Sequence, residues 1–231
     1  LENQMSTARQ FRRVNRESTA GLITRQLREG IMYGSLTPGT QLSETALAQQ
    51  FGVSRGPLRE AMQRLVQEGL LRAEPNRGLF VKELDEAGIR DLYAARIAIE
   101  AAAGRLIISR QDQGAVNRLR TIYAKMQTAA EAGDLEALSD TDLEFHTALV
   151  AGSHSPRLQR MHRTLMVETR MCLTALQGTY QVPEEQVAEH RRIGEAIAAG
   201  DAEALVEAVE THMQEALDRL VSSDTAERAT A

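Results

Sequence analysis

Residues 51–71 read FGVSRGPLREAMQRLVQEGLL, and this stretch has the layout of an amphipathic helix with one face left for contact. Leu58, Ala61, Met62, Leu65 and Gly69 recur at helical spacing and mark an inward face. Ser54 stands where an N-cap belongs, and Pro57 falls in the first turn, where backbone N–H groups have no intrahelical partner in any case. Arg55 and Arg59 project from the amino-terminal half on neighbouring rungs, and Gly56 between them removes a side chain where the backbone must approach something closely. Guanidinium forks near a helix start suit guanine edges in the major groove, and the helix's amino end suits phosphate. Gln63 continues the exposed arc; Arg64 points nearly opposite, toward phosphate or solvent.

The flanks give this helix its context. SETALAQQF, residues 43–51, reads as a short helix capped by Ser43 with Leu47 and Phe51 facing inward, and Gly52-Val53 then forms the tight turn of a helix-turn-helix. Downstream, Pro75-Asn76-Arg77-Gly78 carries turn chemistry between two short strands, which makes a wing with Arg77 and Gly78 at its tip. Upstream, a helix is predicted from about Thr19 to Met32 with Leu22, Ile23, Leu27 and Ile31 on one face. Taken in order, TPGTQLSE, LAQQFGVSRGPLREAMQRLVQEGLL and PNRGLFV resemble the winged helix-turn-helix of GntR-type bacterial transcription regulators over roughly residues 17–83. A helical hairpin that merely packs is the plainer alternative. The resemblance implies a homodimer reading the two half-sites of a near-palindromic operator in double-stranded DNA.

Charge divides the chain in two. Residues 1–82 hold 12 Lys and Arg against 7 Asp and Glu, whereas residues 83–231 hold 15 against 25, so a net charge of -5 conceals a basic half and an acidic half. The first suits a phosphate backbone; the second must sit away from it. Arg9, Arg12, Arg13 and Arg16 mark residues 1–16 as a basic, flexible arm that either adds phosphate contacts or stays a solvated tail. Scarce aromatics, no Trp and abundant Ala, Leu, Glu and Arg point to a mainly helical protein. Cys172 is the single cysteine, which excludes an internal disulfide and a cysteine-based zinc site. No run approaches membrane-spanning length and the amino terminus has no secretory apolar core, so a cytoplasmic protein without membrane contact is expected.

From Asp85, which caps a new helix, to Val221 the pattern is helix after helix, with breaks at Ser109 to Gly114, Ala132 to Asp134, Ala151 to Pro156, Gln177 to Pro183 and Gly200-Asp201. This predicts an antiparallel bundle of about six helices over 84–222, followed by a disordered tail at 223–231. Polar residues interrupt its apolar seams: Arg96 within Ile89, Leu92, Ile99, Ala103, Leu106; Asp142 within Leu135, Leu138, Phe145, Leu149, with His146 one turn on. The last two helices do likewise, with His190 among Val187, Gly194 and Ile197, and His212 among Leu205, Val209 and Ala216. Buried groups of this kind need partners. His190 lies ten residues before Gly200 and His212 eleven after Asp201, so in a hairpin folded there the two imidazoles stand at nearly one height. One carboxylate and three imidazoles suit a divalent transition metal, zinc first, with nickel or manganese as alternatives. Against this stand core histidines bonded to neighbours, and an Arg96 that simply pairs with Glu100. His154 and His162 read as structural or surface residues, and Met161, Met166 and Met171 as core filling.

The DLEFH segment and the segment EHRRIGEAIAAGDAEALVEAVETHM resemble the all-helical, FCD-type ligand-binding domain of the FadR branch of GntR regulators. The resemblance implies that Asp142, His146, His190 and His212 hold a divalent cation and that Arg96, in YAARIAIE, holds the carboxylate of a small organic acid effector. The GSHSP loop departs from the Asn often found there in the family. A transcription regulator without enzymatic activity is therefore expected; the alternative is a metal-dependent hydrolase tethered to nucleic acid by its winged domain, against which stands the lack of a nucleophile motif or spare general base.

Overall fold

Side-chain caps set the helix starts. Ser18, Ser43, Asp85, Asp112 and Asp134 each accept a hydrogen bond from the backbone N–H three residues on. The computed structural model describes residues 18–175 and 183–230, so the arm at 1–16 and most of the break expected from Gln177 to Pro183 lie outside the described residues. Its elements run α1 (Thr19–Met32), β1 (Gln41–Leu42), α2 (Glu44–Phe51), α3 (Arg55–Gln67), β2 (Leu71–Glu74), β3 (Gly78–Val81), α4 (Glu86–Arg110), α5 (Gln113–Ala132), α6 (Leu135–Gly152), α7 (Pro156–Ala175), α8 (Pro183–Ala199) and α9 (Ala202–Thr230). The protein is mainly α, a winged helix-turn-helix followed by a helical bundle.

The turn between α2 and α3 is made by Gly52 in the left-handed region at φ 63°. α3 is shorter than its sequence suggests. The Gly69 N–H bonds the Val66 carbonyl and the Leu70 N–H bonds the Leu65 carbonyl, closing the helix while Gly69 turns left-handed at φ 78°. Gly69 is thus a helix stop and not part of the inner face, and Leu71 opens β2. The wing is a three-stranded antiparallel sheet in the order β1-β3-β2, with Gln41 opposite Phe80 and Leu71 opposite Val81. β1, two residues long, shows no alternation that a sequence reading could detect.

Two cores follow. In the winged part Ile23, Leu27, Ile31, Leu58, Leu65 and Val81 pack together, and Val167 and Met171 from α7 complete the cluster. Lys82, just past β3, reaches Glu168 on α7 at 3.2 Å. In the bundle, α4 packs against α6, α7 and α9, while α5 lies against α6 and α8. Four inward assignments from sequence need correction. Leu22 is exposed, because the buried stripe of α1 is rotated to include Ala20 and Thr24. Leu135, the first residue of α6, and Met161 on α7 are exposed, and Leu106 is half-buried while Ile107 takes the core position. α9 runs to Thr230, past the expected boundary at 222, through a segment with no Gly or Pro to stop it. Among the described residues no helix is long and apolar enough to cross a membrane.

Candidate metal centre and nucleic-acid interface

Asp142 and His146 lie one turn apart on α6, His190 on α8 and His212 on α9, and the three helices bring one ligand atom from each residue within 4.8 Å of all the others. All four side chains are buried. His146 Nε2 is 3.2 Å from both His190 Nε2 and His212 Nε2, and His190 Nε2 is 3.1 Å from Asp142 Oδ1.

The other face of each imidazole explains this orientation. His146 Nδ1 meets Glu100 Oε2 at 2.6 Å, His190 Nδ1 meets the Gln186 carbonyl at 2.8 Å, and His212 Nδ1 meets Glu189 Oε2 at 2.7 Å. Each partner is an acceptor, so each Nδ1 donates its proton, which leaves Nε2 of His146 and His212 as lone pairs, while His190 Nε2 faces the Asp142 carboxylate and donates to it. Two lone pairs, a carboxylate and a displaceable imidazole proton meet at one buried point, where a bound cation would take that proton's place. An ion in tetrahedral coordination with bonds of about 2.0–2.1 Å would space its ligand atoms by about 3.3–3.4 Å, close to the 3.1 and 3.2 Å separations above, while His146 Nε2 and Asp142 Oδ1 stand wider at 4.0 Å. The donor set therefore fits a transition-metal ion such as zinc.

Charge within the cluster is tightly constrained. Burial pushes the His146 imidazole down to about 4, the nearby Glu100 carboxylate only partly opposing it. Burial, then the charge of His190, holds His212 well below the usual imidazole range. For Asp142 burial works upward, but the hydrogen bond and charge of His190, with His146 and His212 behind, carry the carboxyl well below its usual range. His190 is shifted the other way: burial opposes its charge, and Asp142 outweighs burial.

Glu100 is fully buried and ties this cluster to its surroundings. Besides His146 it accepts from Arg96 Nε at 3.1 Å and meets His162 Nε2 at 3.1 Å. Arg96 thus does pair with Glu100, but its Nη2, also buried, has no hydrogen-bond partner. Leaving a buried donor unmade costs roughly 1–3 kcal/mol, which marks Nη2 as a group waiting for an acceptor. Gln186 donates to Asp142 Oδ1 at 2.9 Å. Glu100, Gln186 and Glu189 were missed as supporting residues from sequence, although Glu189 is adjacent to His190 and Gln186 is four residues before it. His162 proves to be a buried structural partner, whereas His154 is exposed and meets Asp112 at 2.6 Å.

On the winged part, Arg55, Gly56, Arg59, Gln63 and Arg64 are exposed along α3, and Arg77 and Gly78 are exposed at the wing tip. A Cβ at Gly56 would meet nothing within 4 Å, so that stretch of backbone is open to an approaching molecule. Arg59 Nε holds Glu44 at 2.7 Å and Arg55 Nη2 holds Thr45 at 3.3 Å, which braces α3 against α2. Arg64 pairs with Glu60 at 2.6 Å; Arg77 pairs with Glu74 at 2.5 Å and lies over the Phe80 ring. Ser54 occupies the N-cap position of α3 but makes no side-chain cap bond, so its expected capping role is not fulfilled.

Comparison with known proteins agrees with both halves. Residues 19–81 match the family described as bacterial regulatory proteins, gntR family, and residues 91–215 match the FCD domain. The chain is 31% identical over 201 residues to the uncharacterized HTH-type transcriptional regulator YdhC of Bacillus subtilis (strain 168), covering 84% of this chain and 88% of that one. It is 30% identical over 203 residues to a probable D-xylose utilization operon transcriptional repressor of Paenarthrobacter nicotinovorans, covering 87% and 88%. Among solved structures, E. coli McbR/YncC superposes with a TM-score of 0.75 at 26% identity, covering 89% of this chain and 98% of that one.

Proposed function

The chain belongs to the GntR family of bacterial regulatory proteins and carries an FCD domain, and from that premise we propose that a small carboxylic acid, bound beside a divalent metal in the bundle, sets its grip on operator DNA. The protein is a DNA-binding transcription regulator, as its relatives are, and not a hydrolase. Asp142, His146, His190 and His212 hold the metal, and the observation that carries the reading is the set of three imidazoles whose Nδ1 atoms are all engaged by acceptors. With those four residues as ligands, an ion that expands from tetrahedral to five-coordination would offer a position to a carboxylate oxygen. Arg96 supplies the second contact, since its unpartnered Nη2 can donate to the same acid. Zinc is the first choice of metal, nickel and manganese the alternatives.

Arg55, Gly56, Arg59 and Gln63 face the major groove, while Ser54, Arg64, Arg77 and Gly78 contact the phosphate backbone at the edges. A homodimer in the cytoplasm presents two such heads to a near-palindromic site. The acid acts only through its differential affinity for the arrangements the two heads can take.

The test is a titration of small mono-, di- and tricarboxylic acids against operator affinity, followed by fluorescence anisotropy at fixed salt. One acid is expected to shift the affinity of the metal-loaded protein by about 5- to 150-fold. Arg96→Ala and chelation are each expected to remove the shift. A shift that survives both would overturn the reading.

A further inference from the structure

Beside the metal quartet, α5, α6 and α8 leave a cavity of about 270 Å³ with His190 in its wall. Its floor is apolar, built from Leu119, Tyr123 and Phe145, and the edge of the Phe145 ring meets His190 with centroids 4.9 Å apart. Arg120 and Arg191 stand at its rim with Glu195. Glu195 is held loosely by Arg191 at 3.7 Å, and Arg120 has no carboxylate partner among the described residues, so the rim carries net positive charge.

Gly194 is the second observation. It lies in the interior of α8 and lines the cavity. A helix-interior glycine weakens a helix relative to alanine, and it is normally explained by a close neighbour. None is present: a Cβ at Gly194 would meet nothing within 4 Å. The space above Gly194 is therefore open.

We infer that this cavity is a small-molecule site, separate from the Arg96 contact proposed above, and that it takes a compact acid with a ring or branched apolar body. The body rests on Leu119, Tyr123 and Phe145, and the carboxylate reaches Arg120 and Arg191. At about 30 Å³ per water, the space amounts to about nine water positions, the scale of a single aromatic ring bearing one acid group. The inference does not depend on the metal being bound.

Fluorine NMR of para-fluorobenzoate with the full chain tests it, with para-fluorobenzamide as the neutral control. Saturable binding of the acid is expected, about tenfold weaker for the amide, as befits a lost charge-assisted hydrogen bond. Gly194→Leu, whose Cβ meets nothing within 4 Å, is expected to abolish binding with the melting temperature retained, and Arg120→Gln to weaken it about tenfold. Should Gly194→Leu fail to fold, the exposed Arg120→Gln decides. Binding is expected to be the same with and without chelator, which separates this site from the metal-dependent effector site proposed above. Binding unchanged in Gly194→Leu and Arg120→Gln, binding lost on chelation, or no saturable binding at all would overturn the inference.

Discussion

Glu100 decides how His146 can be used. It accepts from His146, His162 and Arg96 at once, and burial alone would raise its carboxyl, but His146 and Arg96 hold it well below the ordinary range. An ionised Glu100 fixes the His146 proton on Nδ1 and aims Nε2 at the cluster. Glu100→Ala is accordingly expected to weaken metal binding by about 10- to 100-fold, measured by competition with a chromogenic chelator; an unchanged affinity would remove Glu100 from this role. The quartet was legible in the sequence because Asp142, His190 and His212 break apolar seams, His146 lies one turn from Asp142, and residue counting around Gly200 sets His190 and His212 level. Glu100 was legible only as the partner of Arg96 four residues before it; its bonds to His146 and His162 were not, since it lies beside the seam residue Ile99 and nothing in spacing separates a buried glutamate from an exposed one.

Elements were legible in proportion to how one-sided their burial is. α3 buries Leu58, Ala61, Met62 and Leu65 on a single stripe, so the exposed arc opposite could be named residue by residue. α4 instead packs against α6, α7 and α9 and buries residues on several sides, Tyr93, Glu100 and Ala101 among them, so a single seam misdescribes it. On α3 the two arginine positions are expected to behave differently. Arg59→Ala should cost about 1–3 kcal/mol of discrimination between operator and random duplex, whereas Arg64→Ala should weaken both about equally and lower the salt slope by about one. Anisotropy titrations over a salt series distinguish them, and equal losses from both variants would contradict the groove assignment.

The whole molecule is joined through α7. His162 on this helix touches Glu100 beside the metal quartet, while Val167 and Met171, one to three turns on, belong to the winged core and Glu168 reaches Lys82. One rigid element therefore contacts both the cluster and the DNA-reading part, a link with no sequence signature because Val and Met in a helix look alike whichever core they fill. Met171→Ala is expected to destabilise the winged part by about 2–4 kcal/mol and to split a single denaturant transition into two; one transition with an unchanged midpoint would show that α7 does not hold the parts together. Everything proposed for regulation rests on a cation at the meeting point of α6, α8 and α9. Anomalous scattering from crystals of protein purified without chelator measures this directly. The expected result is one peak per chain within about 2.0–2.2 Å of Asp142 and the Nε2 atoms of His146, His190 and His212; metal-replete crystals with no peak there would contradict it.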